Sequence, residues 1–572
     1  MKQARIPIIV VLGVTTLTMA GCGTKAPLAS SKGRYGGTAV VATPVDLGPS
    51  WFFPMLPLQA DTDINMQVEA LMYKPLLDIT STDGINYGRS LVSKVTANTQ
   101  GTRYVLRLNP KWHWSNGHSV TAADVVFTWN VMKGASQSNS PWGFAGAGFG
   151  GVPSRVSSFV ASGKHTIIIT LNKASNQNWF EHNALAQISP VPKAIWDKHP
   201  QNMTAELQFI QSVANSPTSS VYQVVDGPFK PSGFSPNAYW KFSRNARYSG
   251  HKAYLNQLVF QYETQSSAEF TGLKTGQVDV GYVPTTLIDS KSLLSHDVVN
   301  QEYAFGFGFI HPNFSSRAPN GIGPILKQLY VRQALQEGID QQGIVQSLYH
   351  GVGVVESGPI ASQPPTVFYD KALPPNLYPF NPKAGKALLL QHGWTLQNGV
   401  MTKNGQKLDF PVTYISSNKT LADMAQLIKS NWAQEGVQVT LEPLPASTFF
   451  SEVTVKNPSA WAMALGGGWT YQPDFYPTGG GLFATGAPVN KGGYNNSQMD
   501  QLIAQSYAPG NTHSTLHALY RYEAFAAQHL PVLWTPWPGG LAAHIATLHG
   551  THRTYNPVSD LLAANYWWFN SH

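Results

Sequence analysis

Hydrophobic and polar side chains alternate along the first third of the chain as half-buried strands require. In residues 103–108, Tyr104, Leu106 and Leu108 fall on one face, and the two arginines fall on the other. The apolar run 38–42 follows two glycines and predicts a buried strand. The β-branched run 166–171 predicts a further strand, so this part of the chain favours β-structure.

A three- and four-residue spacing of apolar positions appears further along the chain. Five apolar side chains between Leu421 and Trp432 would lie on one helical stripe. Gly436 is expected to end that helix, and the alternation in 437–441 is typical of a strand. The sequence therefore predicts a helix, a glycine stop and a strand in direct succession.

Capping residues mark two further helices. Thr121 stands three residues before an aspartate, so the pair can satisfy unpaired backbone N–H groups at the start of a helix over 122–132. Asn381 and Pro382 are typical of a helix start, and Gly393 is expected to end that helix. Because strands and helices mix without regular alternation, we predict an α/β or mixed α+β fold with more than one layer.

Composition limits the classes of function. The chain has 572 residues, more than one hydrophobic core normally holds, so two or three domains are expected. Charged residues make up 12% of the chain, against a usual share of about 25%, and the net charge is +8. Because the lysines and arginines do not cluster, the sequence does not suggest nucleic-acid binding.

The first residues have the pattern of an export signal. Lys2 and Arg5 precede the apolar run 6–20, and small residues then lead to Cys22, the only cysteine of the chain. No later stretch approaches the roughly 20 apolar residues that a membrane-spanning helix needs. Residues 1–21 are therefore predicted to be a signal peptide.

Residues 19–22 resemble the lipobox of bacterial lipoproteins. In that motif the cysteine after the cleavage point receives a diacylglycerol, which implies lipidation of Cys22 and a lipid-anchored spacer over 22–35. Two acyl chains hold a domain stably on a membrane, since each buried CH₂ contributes about 0.8 kcal/mol. The alternative is a plain secretory signal, because leucine is usual where Met19 stands. We expect an extracytoplasmic protein, anchored at the outer face of the cytoplasmic membrane or in the periplasm.

Four longer stretches resemble the family 5 extracytoplasmic solute-binding proteins of ABC importers, which include oligopeptide, dipeptide and nickel binders. They are residues 104–129, 226–260, 272–283 and 331–353, and their order and spacing carry the resemblance. In the last stretch, Asp340 is expected to cap the second of two helices. The function implied is capture of a solute outside the cell and its delivery to a permease.

The resemblance implies a mixed α/β clamshell of the type II periplasmic-binding-protein kind. It has two main lobes that close about a hinge, and a smaller inserted domain. Domain I is expected at 36–60, 186–300 and 530–572. Domain II is expected at 61–185 and domain III at 301–529.

The implied site lies on a glycine-rich loop of domain III. In peptide-binding relatives this loop gives main-chain hydrogen bonds to the ligand, together with an aspartate, three residues after a tryptophan, that pairs with the ligand's α-ammonium. The tryptophan and tyrosine of this loop could instead be packing residues of a turn. The corresponding positions of this chain are Gly468, Trp469, Thr470, Tyr471 and Gln472.

Gln472 stands in the place of that aspartate. Glutamine can accept a hydrogen bond, but it cannot balance an ammonium charge. Asp474 would supply the charge if Pro473 re-routes the loop, and it could equally be a turn residue. Without such a charge, the ligand would lack a free amino terminus.

Three further residues are candidates for contacts from other parts of the cleft. Trp51 and Phe52 follow the first strand, whose end faces the cleft in this family. Asn313 is a candidate amide at the hinge side of domain III, and a buried structural amide is the alternative for it.

Other functions were weighed against solute binding. A nickel complex or another non-peptide solute fits the same fold, and His544, His549 and His552 lie close enough in sequence to ligate a metal, although such histidines more often lie on a solvated loop. A surface sensor is possible on this fold. A secreted hydrolase is disfavoured, because no G-x-S-x-G, H-E-x-x-H or P-loop motif occurs.

We therefore expect a monomeric, membrane-anchored binding protein rather than an enzyme. Its partners would be a solute, above all an oligopeptide or dipeptide, and an ABC permease with its ATPase. No metal and no cofactor are expected, and no nucleic acid is expected as a partner.

Overall fold

The computed structural model describes residues 35–472, 474–487 and 489–570. The predicted signal peptide, Cys22 and most of the predicted spacer lie outside these described residues. No helix in the described part of the chain is long and apolar enough to cross a membrane.

The strands are short and fall into several sheets. In chain order they are β1 (Thr38–Ala42), β2 (Val92–Ala97), β3 (Arg103–Leu108), β4 (Val156–Ala161), β5 (Thr166–Leu171), β6 (Phe229–Ser235), β7 (Tyr239–Arg244), β8 (Gln257–Gln261), β9 (Val280–Tyr282), β10 (Asp297–Glu302), β11 (Gly306–Pro312), β12 (Gly353–Val354), β13 (Thr395–Gln397), β14 (Val400–Lys403), β15 (Gln406–Lys407), β16 (Asp409–Ile415), β17 (Gln438–Leu444), β18 (Met463–Leu465), β19 (Trp469–Thr470), β20 (Leu533–Thr535), β21 (Trp537–Pro538), β22 (Gly540–Ile545), β23 (Leu548–His549), β24 (Tyr555–Asn556), β25 (Leu561–Leu562) and β26 (Trp568–Phe569).

Helices occupy much of the chain between the strands. In chain order they are α1 (Asp63–Met72), α2 (Ala122–Ala135), α3 (Gln177–Phe180), α4 (Lys193–Trp196), α5 (Met203–Val213), α6 (Ser266–Thr275), α7 (Gly323–Leu326), α8 (Leu329–Glu337), α9 (Gln341–Ser347), α10 (Pro382–Gln391), α11 (Lys419–Glu435), α12 (Ala446–Glu452), α13 (Ser497–Ser506), α14 (Thr512–His529) and α15 (Thr551–Thr554). Short 3₁₀ turns also occur between the strands and helices, and a π turn, Glu181–Leu185, follows α3 directly and matters below.

The first sheet collects strands from widely separated parts of the chain. Its order is β10-β22-β9-β1-β8-β7-β6. The β1 strand pairs in parallel with β8 and β9, while β22 pairs antiparallel with β9 and β10. Residues near the start, the middle and the end of the chain therefore meet in one layer.

A smaller antiparallel sheet, β2-β3-β5-β4, is built from one continuous stretch of the chain. The predicted strands at 103–108 and 166–171 are confirmed as β3 and β5, and they pair with each other. Tyr104 and Leu106 are fully buried on the inner face of β3. Asp124 accepts a hydrogen bond from the backbone N–H of Thr121 (2.8 Å), which confirms the predicted helix start of α2.

The third sheet is made of later strands in the order β17-β16-β18-β11-β19, and β20 also pairs with β11. The predicted succession of helix, glycine and strand is confirmed in α11, Gly436 and β17. Gly436 has a φ of +84°, a left-handed conformation that favours glycine. The buried stripe of α11 packs against this sheet, and the Trp432 indole donates to the Leu335 carbonyl oxygen (2.7 Å).

The other predicted caps are also confirmed. Asn381 accepts a hydrogen bond from the Ala384 N–H (3.1 Å) at the start of α10. Asp340 accepts one from the Gly343 N–H (2.8 Å) at the start of α9. Each cap satisfies a backbone donor that the first turn of a helix leaves unpaired.

The chain passes between the first and third sheets at residues 303–305 and 536–539. The Trp537 indole N–H donates to the Ala304 carbonyl oxygen (2.8 Å) and so ties the two crossings together. The second crossing falls later than the predicted domain limit at 530, because β20 pairs with β11 of the third sheet. The other domain limits stay a prediction.

Candidate functional site

A cavity of about 600 Å³ opens beside α1, and we call it the first cavity. Six parts of the chain that are distant in sequence form its wall. They are residues 54–89 with α1, residues 144–146, residues 186–189, Pro228 with Tyr248, Gln472 with Phe475, and residues 553–566.

One face of α1 lines the first cavity. Met66, Glu69 and Ala70 contribute to the wall, with Glu69 and Ala70 three and four residues after Met66, and Tyr73 joins them just after the helix ends. That spacing places side chains one above another along a helix. The opposite face of α1 is buried in the core, so the helix presents these residues to the cavity in a fixed orientation.

Two acidic groups of the cavity wall lie before and on α1, Asp61 two residues before the helix and Glu69 in its second half. Burial and the neighbouring Asp63 raise the pKa of Asp61 to about 6. Burial, followed by the charge of Asp61, raises the pKa of Glu69 well above its usual value. One Glu69 carboxylate oxygen is buried and has no hydrogen-bond partner among the described residues. A cationic group of a ligand would stabilise the charged forms of both carboxyls.

Basic groups lie beyond the other end of α1. The Asp78 carboxylate is 3.8 Å from the Lys74 ammonium and 3.4 Å from the Arg89 guanidinium. One carboxylate therefore faces two cationic groups. The Arg89 guanidinium also lies over the Tyr566 ring, 5.6 Å from its centroid, and its side chain is 46% exposed. It can donate further hydrogen bonds to an anionic ligand group.

The glycine-rich loop predicted from the resemblance lies at the edge of the third sheet. Trp469 and Thr470 pair with Phe307 and Gly306 of β11. Thr470 is exposed, and the half-buried Trp469 ring lies 6.2 Å from the Phe149 ring. The buried Trp469 indole N–H has no partner among the described residues.

Glycine is required at position 468 by a close approach of the backbone. A Cβ atom there would lie 2.5 Å from the Phe307 carbonyl oxygen and 2.7 Å from the Trp537 ring. The loop can thus pack against β11 and the second crossing only without a side chain at this point. Gly468 therefore positions Trp469, and its own contact with a ligand stays a prediction.

Gln472 and Tyr471 face in different directions. Gln472 lines the first cavity, and its buried Oε1 atom has no hydrogen-bond partner among the described residues. Tyr471 is fully buried, packs on Phe305 and Phe307, and donates from its hydroxyl to the Pro359 carbonyl oxygen (2.5 Å). Tyr471 is therefore a packing residue, which is the alternative given above for the aromatic residues of this loop.

Asp474 is buried away from the first cavity. Its carboxyl accepts a hydrogen bond from the Asn183 amide, and Asn183 also bonds to the backbone N–H and C=O of Tyr476. Burial raises the pKa of Asp474 to about 8. A neutral carboxylic acid enclosed in this way ties the loop to the turn Glu181–Leu185 and is not placed to hold a ligand ammonium.

Asn313, Trp51 and Phe52 are structural in this fold. The Asn313 amide donates to the carbonyl oxygens of Pro458 (2.9 Å) and Trp461 (2.7 Å). It is therefore a buried structural amide, the alternative given above for this residue. Trp51 and Phe52 were expected at the cleft, but both are buried. The Trp51 indole donates to the Met55 carbonyl oxygen (3.1 Å), and residues 54–56 line the cavity in its place.

Sequence reasoning missed most of the cavity wall. The spacing of Met66, Glu69, Ala70 and Tyr73 was the one available signal, since it puts a carboxylate on an otherwise uncharged helix face. No local pattern marks residues 553–566. Within the described ranges, no group of three or more histidine, cysteine, aspartate or glutamate residues is arranged to hold a metal ion, and His544, His549 and His552 form no such group.

A second cavity, of about 350 Å³, lies next to the first. The two share Tyr555 and Leu562 as wall residues. The second cavity lies against the ends of β1, β9 and β22 and beside both crossings between the sheets.

Comparison with known proteins shows which family has this architecture. The model of the bacterial extracellular solute-binding proteins, family 5 Middle, matches residues 87–483. The oligopeptide-binding protein AppA of Bacillus subtilis (strain 168) is 23% identical over 583 residues, which cover 99% of each chain. The structure of that protein with a nonapeptide superposes with a TM-score of 0.73 at 21% identity, covering 94% of this chain and 100% of the other.

Two further solved structures share the fold. The ABC transporter-associated periplasmic binding protein DppA from Helicobacter pylori, in complex with the peptide STSA, has a TM-score of 0.71 at 18% identity, and the match covers 94% of this chain and 99% of the other. NikA from Brucella suis, in complex with Fe(III)-EDTA, has a TM-score of 0.74 at 15% identity and covers 93% of this chain and 100% of its own. The predicted mixed α/β clamshell is confirmed by these likenesses. With a family model matched over more than half of its length, the chain belongs to the bacterial extracellular solute-binding proteins of family 5.

Proposed function

We propose that this protein captures a peptide outside the cytoplasm and delivers it to an ABC-type importer without altering it. The family consists of solute-binding proteins, and relatives along the whole chain are named for oligopeptide binding. The permease and its ATPase are the partners that this function requires. The protein would act as a monomer, with no cofactor and no catalytic step.

The distribution of charge in the first cavity carries this proposal. Asp61 and Glu69 contribute carboxyls to the wall, Lys74, Arg89 and Arg553 contribute cationic groups, and Asp78 pairs with Lys74 and Arg89. A peptide has an ammonium at one terminus and a carboxylate at the other, so groups of both signs in one cavity complement its two termini. Charge-assisted hydrogen bonds of this kind each contribute about 1.5 to 3 kcal/mol.

The length of α1 suggests the length of the ligand. Asp61 lies just before α1 and Lys74 just after it, and the ten residues of the helix rise about 15 Å. An extended peptide advances about 3.3 Å per residue, so roughly four to five residues span this distance. We therefore propose a short oligopeptide rather than a free amino acid.

The loop edge offers main-chain contacts to such a ligand. The β19 strand is the last in its sheet order, so its outer backbone groups face no further strand of that sheet. An extended peptide can add to an exposed edge as an extra strand. Gln472, at the end of this edge, would accept a hydrogen bond from the ligand with its unpaired Oε1.

Closure of the two lobes would report the bound ligand to the permease. The lobes meet through residues 303–305 and 536–539, which form a narrow double connection. A ligand that contacts α1 on one lobe and Gln472 on the other stabilises the closed form more than the open form. The permease would thus distinguish loaded from empty protein.

Two experiments test this function. Mass spectrometry of small molecules released from the freshly purified protein should find peptides. Isothermal titration calorimetry with a series of alanine-based peptides of two to nine residues should give the tightest binding near four or five residues, weakened by N-acetylation and by C-terminal amidation. If no peptide of any length binds and none co-purifies, peptide capture is wrong.

Membrane attachment through Cys22 is a separate part of the proposal. Expression in a bacterial host should place the wild-type protein in the membrane fraction with a diacylglyceryl group on Cys22. Cys22→Ser should release the protein from the membrane fraction, while peptide affinity stays unchanged because Cys22 lies before the described fold. Release of the wild-type protein without any lipid would support the plain secretory signal instead.

A further inference from the structure

The second cavity collects acidic groups from three separate parts of the chain. Asp63 comes from the first turn of α1, Glu302 from the end of β10, and Asp560 from the loop between β24 and β25. Glu302 and Asp560 are half-buried, and burial raises the pKa of both carboxyls, whereas Asp63 is exposed at the edge of the cavity. The charge of Asp63, added to burial, raises the pKa of Asp560 to about 7. The three groups therefore lie close to one another without enough positive charge to compensate them.

No lysine or arginine lines the second cavity within the described part of the chain. Its basic wall residues are two histidines. Burial lowers the pKa of His544, so that side chain is neutral at pH 7. His552 lies 3.6 Å from Glu302, but its side chain is 54% exposed to solvent. Neither histidine supplies a buried positive charge for Asp63 and Asp560.

Aromatic and apolar groups complete the wall. Tyr282, Tyr555 and Trp567 line the cavity together with aliphatic side chains of β1 and α1. The charges of Asp560, Glu302 and Asp63, added to burial, raise the pKa of the Tyr282 hydroxyl, which shows that these carboxyls face it. Aromatic faces and carboxylates together are the usual surroundings of a bound organic cation.

An unpaired donor also lies in the wall. The Thr551 side chain is buried, with 7% of the residue exposed, and its hydroxyl has no hydrogen-bond partner among the described residues. Buried hydroxyls normally have partners, so this one indicates a missing ligand group or water. The acidic groups are not arranged as a metal site within the described ranges.

We propose that the second cavity binds an alkylammonium group, with Asp63, Glu302 and Asp560 supplying the negative charge and Tyr555 an aromatic face. The alkyl part would lie against Val41, Ala42, Ile64 and Leu562. A volume of about 350 Å³ is enough for an ammonium head and several methylene groups, but not for a further peptide of several residues.

The ammonium group can come from two sources. Tyr555 and Leu562 line both cavities, so the two cavities adjoin at these residues. A lysine side chain of a peptide in the first cavity can therefore reach the second. This source depends on the peptide function proposed above. A free alkylamine is the other source, and it does not depend on that function.

Calorimetry with matched probes tests the proposal. The probes are the pentapeptide AAKAA, the same peptide with norleucine in place of lysine, and n-butylamine alone. We expect the lysine peptide to bind about 10-fold more tightly than the norleucine peptide, since the two differ in an ammonium group and in little else. We also expect n-butylamine to bind in the millimolar range and to be displaced by the lysine peptide.

Variants locate the effect. Glu302→Gln and Asp560→Asn should each reduce the preference for lysine to less than 3-fold, while the affinity for the norleucine peptide stays unchanged. Asp289→Asn is the matched control, because the Asp289 side chain is 87% exposed and lies outside both cavities. Circular dichroism confirms folding, and Asp63→Asn replaces any variant that does not fold.

The outcomes separate this proposal from the proposed function. Equal affinity for the lysine and norleucine peptides, with no binding of n-butylamine, overturns the ammonium site but leaves peptide capture standing. Binding of n-butylamine without binding of any peptide supports the ammonium site and overturns peptide capture. Binding of Ni²⁺ that displaces n-butylamine overturns the assignment to an organic cation.

Discussion

The two cavities share a wall but differ in charge. The wall of the first cavity has both acidic and basic groups, namely Asp61, Glu69 and Asp78 with Lys74, Arg89 and Arg553. The second has three carboxyls and, among the described residues, no lysine or arginine. Both draw on α1 and on the C-terminal segment, but Glu302 of the second cavity comes from β10, whereas Arg89 of the first comes from the segment that follows α1.

This difference shows how one fold can separate two tasks. A cavity with both signs of charge suits a zwitterion and fixes the direction in which it lies. A cavity with one sign suits a single cationic group and so selects among side chains. We infer that the first cavity supplies affinity for a peptide backbone and its termini, and that the second supplies a preference for one side chain.

Filling each cavity separately should give the largest effect. Ala70 lines only the first cavity and Ala542 lines only the second. Ala70→Trp should weaken binding of AAKAA and of its norleucine analogue by at least about 100-fold, or about 2.7 kcal/mol. Ala542→Trp should abolish binding of n-butylamine and remove only the lysine preference, as measured by calorimetry.

A tryptophan on an exposed part of the lobe that contains the third sheet is the control for this pair. Ala433 lies on the exposed face of α11, and Ala433→Trp should change neither affinity. If Ala70→Trp and Ala542→Trp each abolish binding of all three probes, the two cavities act as one site, and the comparison fails.

A charge added to the first cavity alone should have a smaller effect. Gln472→Glu keeps the shape of the side chain and adds a carboxylate beside the ligand. Peptides with a free amino terminus should bind about 10-fold more tightly, since about 1.4 kcal/mol is typical of a charge-assisted bond. Calorimetry with N-acetylated peptides gives the control, which should show no gain. Equal gains for both peptides would place Gln472 away from the ligand ammonium.

Removal of the loop aromatic tests the edge of the first cavity. Trp469→Ala should weaken peptide binding about 5-fold, because aromatic residues carry much of the energy of such contacts. It should also abolish most of the ligand-induced change in tryptophan fluorescence. Trp568→Ala is the control, since Trp568 lies on β26 outside both cavities. An unchanged titration of Trp469→Ala would remove this residue from the site.

The smallest effect is expected for a carboxyl that lies in neither cavity. Burial raises the pKa of Asp474 from its usual value near 4 to about 8. The folded state therefore holds a proton that the unfolded state loses above about pH 4, so this contribution to stability is complete in acid and is lost as the pH rises to about 8.

Asp474→Asn mimics the neutral carboxylic acid and should remove this dependence. The melting temperature of the wild-type protein should fall more between pH 5 and pH 8 than that of the variant, by at least about 2 °C. Peptide and n-butylamine affinities at pH 5 should be the same in both proteins. Identical slopes of melting temperature against pH would show that Asp474 is ionised in the folded protein.

Local patterns in the sequence determined the elements on which this site is built. The cap at Thr121, the glycine stop at Gly436 and the alternation in β3 each involve residues within four positions of one another. Such contacts form wherever those residues stand together, so they could be predicted without the fold. The order of longer stretches was enough to indicate the family.

Only the tertiary structure decided which residues face a cavity. Trp51 and Tyr471 are aromatic, as binding residues are expected to be. Packing of Trp51 against Trp142, and of Tyr471 against Phe305, buries both side chains. Glu302, Asp63 and Asp560 are far apart in sequence and meet only because the first sheet brings distant strands together. Burial and mutual repulsion, which give these carboxyls their chemistry, depend on that meeting and have no signature in the local sequence.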